Sequence, residues 1–534
     1  MLRVLVVAAV ATAVTKSNWA PGYRTAGNAT TINDGEAEET WAAYDHNYKA
    51  PNGWELQPFA YQNPDRYTGW YADKRSKCKW SSPVSVFAHT KKYLRSTYGG
   101  AFTGSKWKSR NMYNQWSQSF LEATVCTQTW EQDGHKYQLD ITRLGPITLN
   151  PGKIINTFFV PAAPLDDDMA YLVEAVDGYL DDNLRPLSYP PVHPHHSAVY
   201  VTGFPEKLAY NNPSSPFFGF NPIARLPLSS MNEQGKKSNG DDWLQTSTNT
   251  PGFNNDLYGC DPHLEDQATP CYYAKVPDGY GFPRYKGEDH WANSVLEHVP
   301  PGGARKVIYE YGRVHTSNKQ LKPVHILDFG VGGDGALYDT KGDGVAWFTY
   351  RMPVSGVFTS SWFHTHPVAP SDFWVLDVDA EAVLPPELVK SCTSCSSRNT
   401  IGRLHRNWAS NNSGTCERDV PLPSGMTRSQ LMRRMLDEHS SHLRCWWRTR
   451  TAYSPSADRF YGRTPLRHKD YTGCDEWRFE KGQVVSLIAF NGPVPPQVLA
   501  AVPPSVRKRG AFPQHHRWWP AAVLDFPFEE YYGA

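Results

Sequence analysis

The residues of this chain best suited to chemistry are its histidines. In "SGVFTSSWFHTHPVAPSDFWVLDV", His364 and His366 stand two apart in a run of strand character. Positions i and i+2 of a β-strand share a face, so the two imidazoles would project side by side, either as ligands of one metal ion or as a solvent-facing His-x-His. A second group, His193, His195 and His196, lies in "SYPPVHPHHSAVYVTG", at the start of another alternating run. In a regular strand His193 and His195 share a face and His196 takes the other. A bend at Pro194 would let any two of the three reach one ion; an exposed His/Pro turn is the alternative. His290 and His298 follow singly in "GEDHWANSVLEHV". Neutral imidazole suits copper, zinc and iron alike, so ligand type does not choose the metal.

The elements that must position these histidines read as strands. "YQLDITRL", "KIINTFFV", "AYLVEAVDGYL" and "SAVYVTGF" form one series of short alternating runs separated by Pro, Gly and Asp turns. A second series holds "ARKVIYEYGRVH", "VHILDFG", "GVAWFTYRMP", "FWVLDV" and "QVVSLIAF". The break "HVPPGGAR" separates the two near residue 300. The expected fold is mainly β: two consecutive antiparallel β-sandwich, jelly-roll-like domains over 141–302 and 303–500. An aromatic-rich N-terminal segment (18–140) precedes them and a C-terminal tail (501–534) follows. Core packing and loop anchoring account for the Trp and Tyr residues of that segment more simply than a sugar-binding face does. A low-hydrophobicity stretch from Asn211 to Thr250 reads as an exposed loop. "TRSQLMRRMLDEHSSHLRCWW" is the best helix candidate, with Leu431, Met435 and Leu443 near helical spacing.

Composition narrows the function classes. The 534 residues carry 54 basic and 53 acidic side chains, a net charge of +1. That balance gives no electrostatic footprint for nucleic acid. Residues 1–17 have the form of a signal peptide, with Arg3 before an apolar run from Val4 to Val14 that is too short to span a bilayer. The expected protein is therefore secreted or luminal, with no integral membrane span after cleavage. Nine cysteines agree with an oxidising compartment, and most should pair, although spacing does not give the pairing. Cys392 and Cys395 have C-x-x-C spacing, but no second such pair completes a zinc site, so a structural disulfide role is expected of them. Asn28 in "NAT" and Asn411 in "NNS" are glycosylation acceptors in such a compartment.

The order of the histidine motifs resembles that of the copper type II, ascorbate-dependent monooxygenases, the family of peptidylglycine hydroxylating monooxygenase and dopamine β-monooxygenase. "PVHPHHSAVY" is similar to the His-His motif that opens a strand of that family's first sandwich, and "GVFTSSWFHTHPVAPSDFWVL" to the His-x-His strand of its second. "VPDGYGFPRYKGEDHWANSVLEHV" is similar to the segment supplying a third histidine, here His290, and "FEKGQVVSLIAFNGP" to a late Lys-x-Gly-Asp strand. The resemblance covers about 145–500. It implies two copper ions, ascorbate as reductant, and hydroxylation of a C–H bond in a small-molecule or peptide substrate. One copper would sit on His364 and His366 and meet oxygen. The other would sit on His193, His195, His196 and His290 and store an electron.

Two departures stand out. The family's oxygen-binding copper takes a Met ligand after the late strand, whereas no methionine follows Met435 here. His515 and His516 in "FPQHHRWWP" are the available substitutes, and Met426, Met432 and Met435 read as core residues. The late strand also has Gly482-Gln483 in place of Gly-Asp. Two readings from other classes remain: a non-catalytic extracellular β-sandwich binding protein, and a single-metal cupin-like enzyme. The cupin reading needs a carboxylate soon after His366, and Asp372 is the one at hand. "GVGGDG" at 330–335 is followed by turns rather than the helix a dinucleotide fingerprint requires.

Overall fold

A computed structural model of the chain describes residues 54–56, 70–85, 122–151, 154–159, 165–184, 192–202, 205–208, 214–217, 249–250, 272–276, 278–286, 289–298, 303–327, 329–331, 338–365, 369–392, 416–454, 459–468, 470–471, 476–494, 512–514 and 516–532. It is mainly β, built from several antiparallel sheets. The chain divides into two compact units. The first comprises 61–215, 223–326 and 527–534; the second comprises 1–60, 216–222 and 327–526. The expected signal peptide, both glycosylation triplets and most of the 211–250 loop lie outside the described residues.

In the first unit, Glu122–Gln132 (β1) and His135–Leu149 (β2) form a hairpin. Ile154–Phe159 (β3), Tyr171–Leu180 (β4), Val192–Thr202 (β5), Asp289–His298 (β6) and Arg305–Thr316 (β7) follow. The larger sheet runs β4-β7-β2-β1, with short strands at its margins, and the smaller runs β3-β6-β5. β7 follows the Pro-Pro-Gly-Gly stretch and pairs with β2 and β4 of this unit; the division between units falls at Ile326/Leu327. Alternation drives the packing. Tyr137, Leu139 and Ile141 of β2 are buried with Val173 and Val314 in one cluster.

Part of the aromatic-rich N-terminal segment anchors this sheet. The short helix Trp70–Ser76 (α1) directs Arg75 to Glu310, which is fully buried and also takes Arg143 (N···O 2.6 and 2.7 Å). A buried carboxylate is tolerable when two guanidinium groups satisfy it. The Arg143 guanidinium lies 3.7 Å from the centre of the Trp80 ring, and Cys78 is joined to Cys126 on β1. In its described portion the segment thus serves packing and anchoring.

The second unit holds Gly344–Arg351 (β8), Gly356–Thr365 (β9), Ser371–Leu376 (β10), Cys416–Pro421 (β11), Arg428–His439 (α2), Leu443–Ser454 (β12), Arg459–His468 (β13), Val484–Asn491 (β14) and His516–Leu524 (β15). Its larger sheet runs β13-β12-β10-β14-β8-β11, and Trp54–Leu56 pairs with β13 at one edge. β9 pairs with β15 in a smaller sheet that packs against the larger one. Phe363 of β9 stacks on Phe373 of β10 and on Trp447 of β12 at 4.6 and 5.5 Å between ring centres. Phe329 meets Tyr350 and Trp518 in the same layer, and the Tyr350 hydroxyl donates to the Gly330 carbonyl while accepting from its N–H. These contacts make the second unit a sandwich.

The opposite face of the larger sheet is covered by helices. α2 begins where Thr427 and Gln430 exchange side-chain-to-backbone hydrogen bonds, a capping box that satisfies two otherwise orphaned N–H groups. Leu431, Met432 and Met435 bury one stripe of α2 against Trp374, Trp446 and Phe490, and Met426 packs at the margin. Each fully buried side chain of this kind contributes roughly 1.5–3 kcal/mol. Leu443 belongs to the same cluster but lies on β12, because the helix stops at His439. Cys392 bonds to Cys416 rather than within its C-x-x-C, so that spacing marks the base of a loop.

Candidate metal-binding strands

The first histidine group opens a strand: β5 begins at Val192. Across the β5–β6 ladder His193 faces Glu297, Pro194 faces Leu296, and His196 faces Val295. His195 is the additional residue of a β-bulge. Glu297 and Val295 are two apart and share a face of β6, so the bulge brings the His193 and His196 positions to one face, where a regular strand would have opposed them. His290 faces Val201, five residues along β6 from Val295. That is about 17 Å at roughly 3.4 Å per residue, and the odd separation assigns it to the other face. Positions 193–196 lie at one end of the β5–β6 ladder and position 290 near the other. For β5 and β6 this placement rests on backbone and register.

In the second unit His364 occupies β9 opposite Arg517, and Thr365 faces His516. Phe363 and Thr365, on either side, are both buried, and Phe363 faces the larger sheet. The period of two therefore assigns position 364 to the outer face of the smaller sheet. Thr365–His516 is the last described pair of this ladder; His366 and His515, next in sequence on each strand, lie outside the described residues.

His516 is not available as a third ligand. It is fully buried, its Nδ1 is 2.8 Å from the Tyr338 hydroxyl, and its Nε2 is 2.8 Å from the Ser371 hydroxyl. The physical reason is its register opposite Thr365, which turns it into the sandwich. The ring also stacks on Phe373. Asp372, the carboxylate a cupin-like site would need, is committed as well. Its Oδ1 accepts from Arg448 Nε at 2.7 Å and from Trp446 Nε1 at 2.8 Å, with Arg428 at 3.9 Å from Oδ2. Burial alone would raise this carboxyl, but the Arg448 and Arg428 charges and the two hydrogen bonds hold it below the ordinary value. Trp446 belongs to the helix-covered cluster, so Asp372 serves the face of the larger sheet away from β9.

A buried polar network has no counterpart in the sequence motifs. Asn491 Nδ2 donates both to the Tyr338 hydroxyl (3.0 Å) and to Asp419 Oδ1 (3.1 Å). Thr340 donates to Asp419 Oδ2 at 2.5 Å, and the Gly342 N–H donates to Thr340. Since Asn491 uses an N–H toward Tyr338, the tyrosine proton is left for His516 Nδ1, and Nε2–H then donates to Ser371. Burial first, then the neighbouring Asp419 charge, push the Tyr338 hydroxyl well above its ordinary value, so it stays protonated. Its members are spread from residue 338 to residue 516, which is why no local spacing announces it.

Among the described residues no group of three or more His, Cys, Asp or Glu side chains converges as a metal site. That set does not include the side chains of His193, His195, His196, His290, His364 and His366. Cys445 is also disulfide-bonded, and among the described residues no helix is long and apolar enough to cross a membrane. Neither a protein-family model nor a curated protein matches the chain.

Proposed function

We propose that the chain is a copper-dependent monooxygenase of the secretory lumen or extracellular space, hydroxylating a C–H bond of a small-molecule or peptide substrate with O2 and ascorbate. The observation that supports this reading is that each antiparallel β unit holds histidines on one strand, and that the β5 bulge puts positions 193 and 196 on one face of the ladder. Bulges of this type re-aim side chains next to functional sites.

The donor chemistry fits copper, for which imidazole is a suitable ligand. His193 and His196, with the bulge residue His195, would hold one ion; the register sets position 290 near the other end of that ladder. His364 and His366 would hold the other, with His515 as the third imidazole. Bound copper would supply one-electron transfer and oxygen activation, with ascorbate as electron donor. The chain's own contribution is positional. Phe363 stacked on Phe373 fixes the pleat of β9, and His516 held by Tyr338 and Ser371 fixes the rung beside it. The disulfides Cys78–Cys126 and Cys392–Cys416 support an oxidising compartment.

The test is electron paramagnetic resonance of the copper-loaded full chain. A type II Cu(II) signal bleached by ascorbate is expected, with His193→Ala/His196→Ala and His364→Ala/His366→Ala each removing about half of it. A signal untouched by both double variants would place the copper elsewhere. Failure to bind copper at all would leave a non-catalytic β-sandwich binding protein.

A further inference from the structure

β11 is an edge strand with a short, interrupted ladder to its sheet. Among the described residues it pairs with β8 alone, through Pro421–Gly344, Val420–Val345 and Cys416–Trp347, and a register shift interrupts even these. The Cys392–Cys416 disulfide and buried Val420 hold it to the helix-covered core, and Asp419 adds a polar fastening to the neighbouring strands. Its carboxyl takes Thr340 from the strand Tyr338–Thr340, Asn491 from β14 and the Lys341 backbone N–H, and it sits so close over Gly344 that a Cβ there would lie 2.5 Å from its Oδ1. Every one of these donors is neutral. The charged or titratable groups facing Asp419 are Asp343, another acid, and Tyr338, which stays protonated; His516 lies one hydrogen bond further on. Among the described residues Asp419 has no cationic partner. Burial without a cation is the arrangement that favours the protonated carboxyl.

We propose that Asp419 is a proton-operated latch: the protonated carboxyl holds β11 onto the sheet in mildly acidic surroundings, and ionisation loosens it at neutral pH. Burial raises the carboxyl to about 6 against the hydrogen bonds from Thr340, Asn491 and Lys341, and Asp343 adds to the rise. For an acid shifted upward, the folded state binds the proton more tightly than the open state. The stabilisation is therefore complete below the ordinary value near 3.8 and is lost as pH climbs through about 6. An acidic secretory compartment would close the latch and a neutral exterior would open it. Opening also frees Asn491 and hence Tyr338, so the latch reaches the buried His516.

The experiment is amide hydrogen exchange of the full chain, read by peptide mass and corrected for the intrinsic pH dependence of exchange. Protection of the peptide covering Cys416–Pro421, relative to one covering Leu431–Met435 in α2, should fall about tenfold between pH 5 and pH 7.5. Asp419→Asn should flatten that profile. Asp343→Asn should move its midpoint to lower pH; the residue has a positive φ of 51°, which Asn accepts, so this variant keeps the test decisive even where Asp419→Asn misfolds. Asp140, raised to about 6 by burial, lies in the first unit, and peptide-level readout separates the two. A flat profile in the unsubstituted chain, the same fall in Asp419→Asn, or a midpoint unmoved by Asp343→Asn would overturn the latch.

Discussion

Asp372, fully buried, and Asp419, half-buried, are both carboxylates of the larger sheet of the second unit, and their surroundings differ in kind. Asp372 sits on the helix-covered face with Arg448 on one oxygen and Arg428 near the other, and it is held below the ordinary carboxyl value. Among the described residues Asp419 takes hydrogen bonds from hydroxyl, amide and backbone N–H groups alone, and it is raised to about 6. The first is a fixed charge that neutral pH does not disturb; the second is a neutral acid that becomes a charge within the biological pH range. The lesson is that burial alone does not decide how a carboxylate behaves. The partner set does: a cation makes it a permanent fastening, and neutral donors make the fastening conditional on a proton.

The sharpest way to break this comparison is to take the cation away from Asp372. Arg448→Met leaves a buried charge poorly compensated and should cost roughly 3–5 kcal/mol in urea unfolding of the second unit, while Arg448→Met/Asp372→Asn should recover most of the loss. A single variant no worse than the double would show that the pair is not what holds this face.

Next in size is the pH profile. Asp419→Asn should abolish a stability change of up to about 3 kcal/mol between pH 4 and pH 7.5, with the unsubstituted chain the more stable at the acid end. Tyr338→Phe should cost about 1–3 kcal/mol, because it leaves His516 Nδ1 and one Asn491 N–H without their partner in a dry site. The loss should appear at both ends of the pH range, which separates it from the Asp419 effect. At the small end, Arg478→Ala removes exposed bridges to Glu480 and Asp525 and should leave the unfolding midpoint unchanged.

Alternation over short runs made the strands legible in the sequence, and the Leu431/Met435 spacing made α2 legible. Other features depend on pairing, which no local pattern encodes. The β5 bulge becomes visible only against β6, and it puts position 196 rather than 195 on the ladder face of position 193. The inward turn of His516 follows from its rung with Thr365, whereas the sequence offered His515 and His516 as equal candidates. Asp372 read as a free carboxylate near His366 because Arg448 and Trp446 come from a strand some 75 residues later (|i−j| of 76 and 74). The Asp419 network draws on residues separated by up to 178 positions, as in the Tyr338–His516 contact.

The measurement that bears most directly on the proposed function is the copper retained per chain after exhaustive dialysis. The full chain should keep about two ions and the His364→Ala/His366→Ala variant about one, as expected for two independent imidazole sites. Equal copper in both proteins, or none in the full chain, would contradict the two-site account.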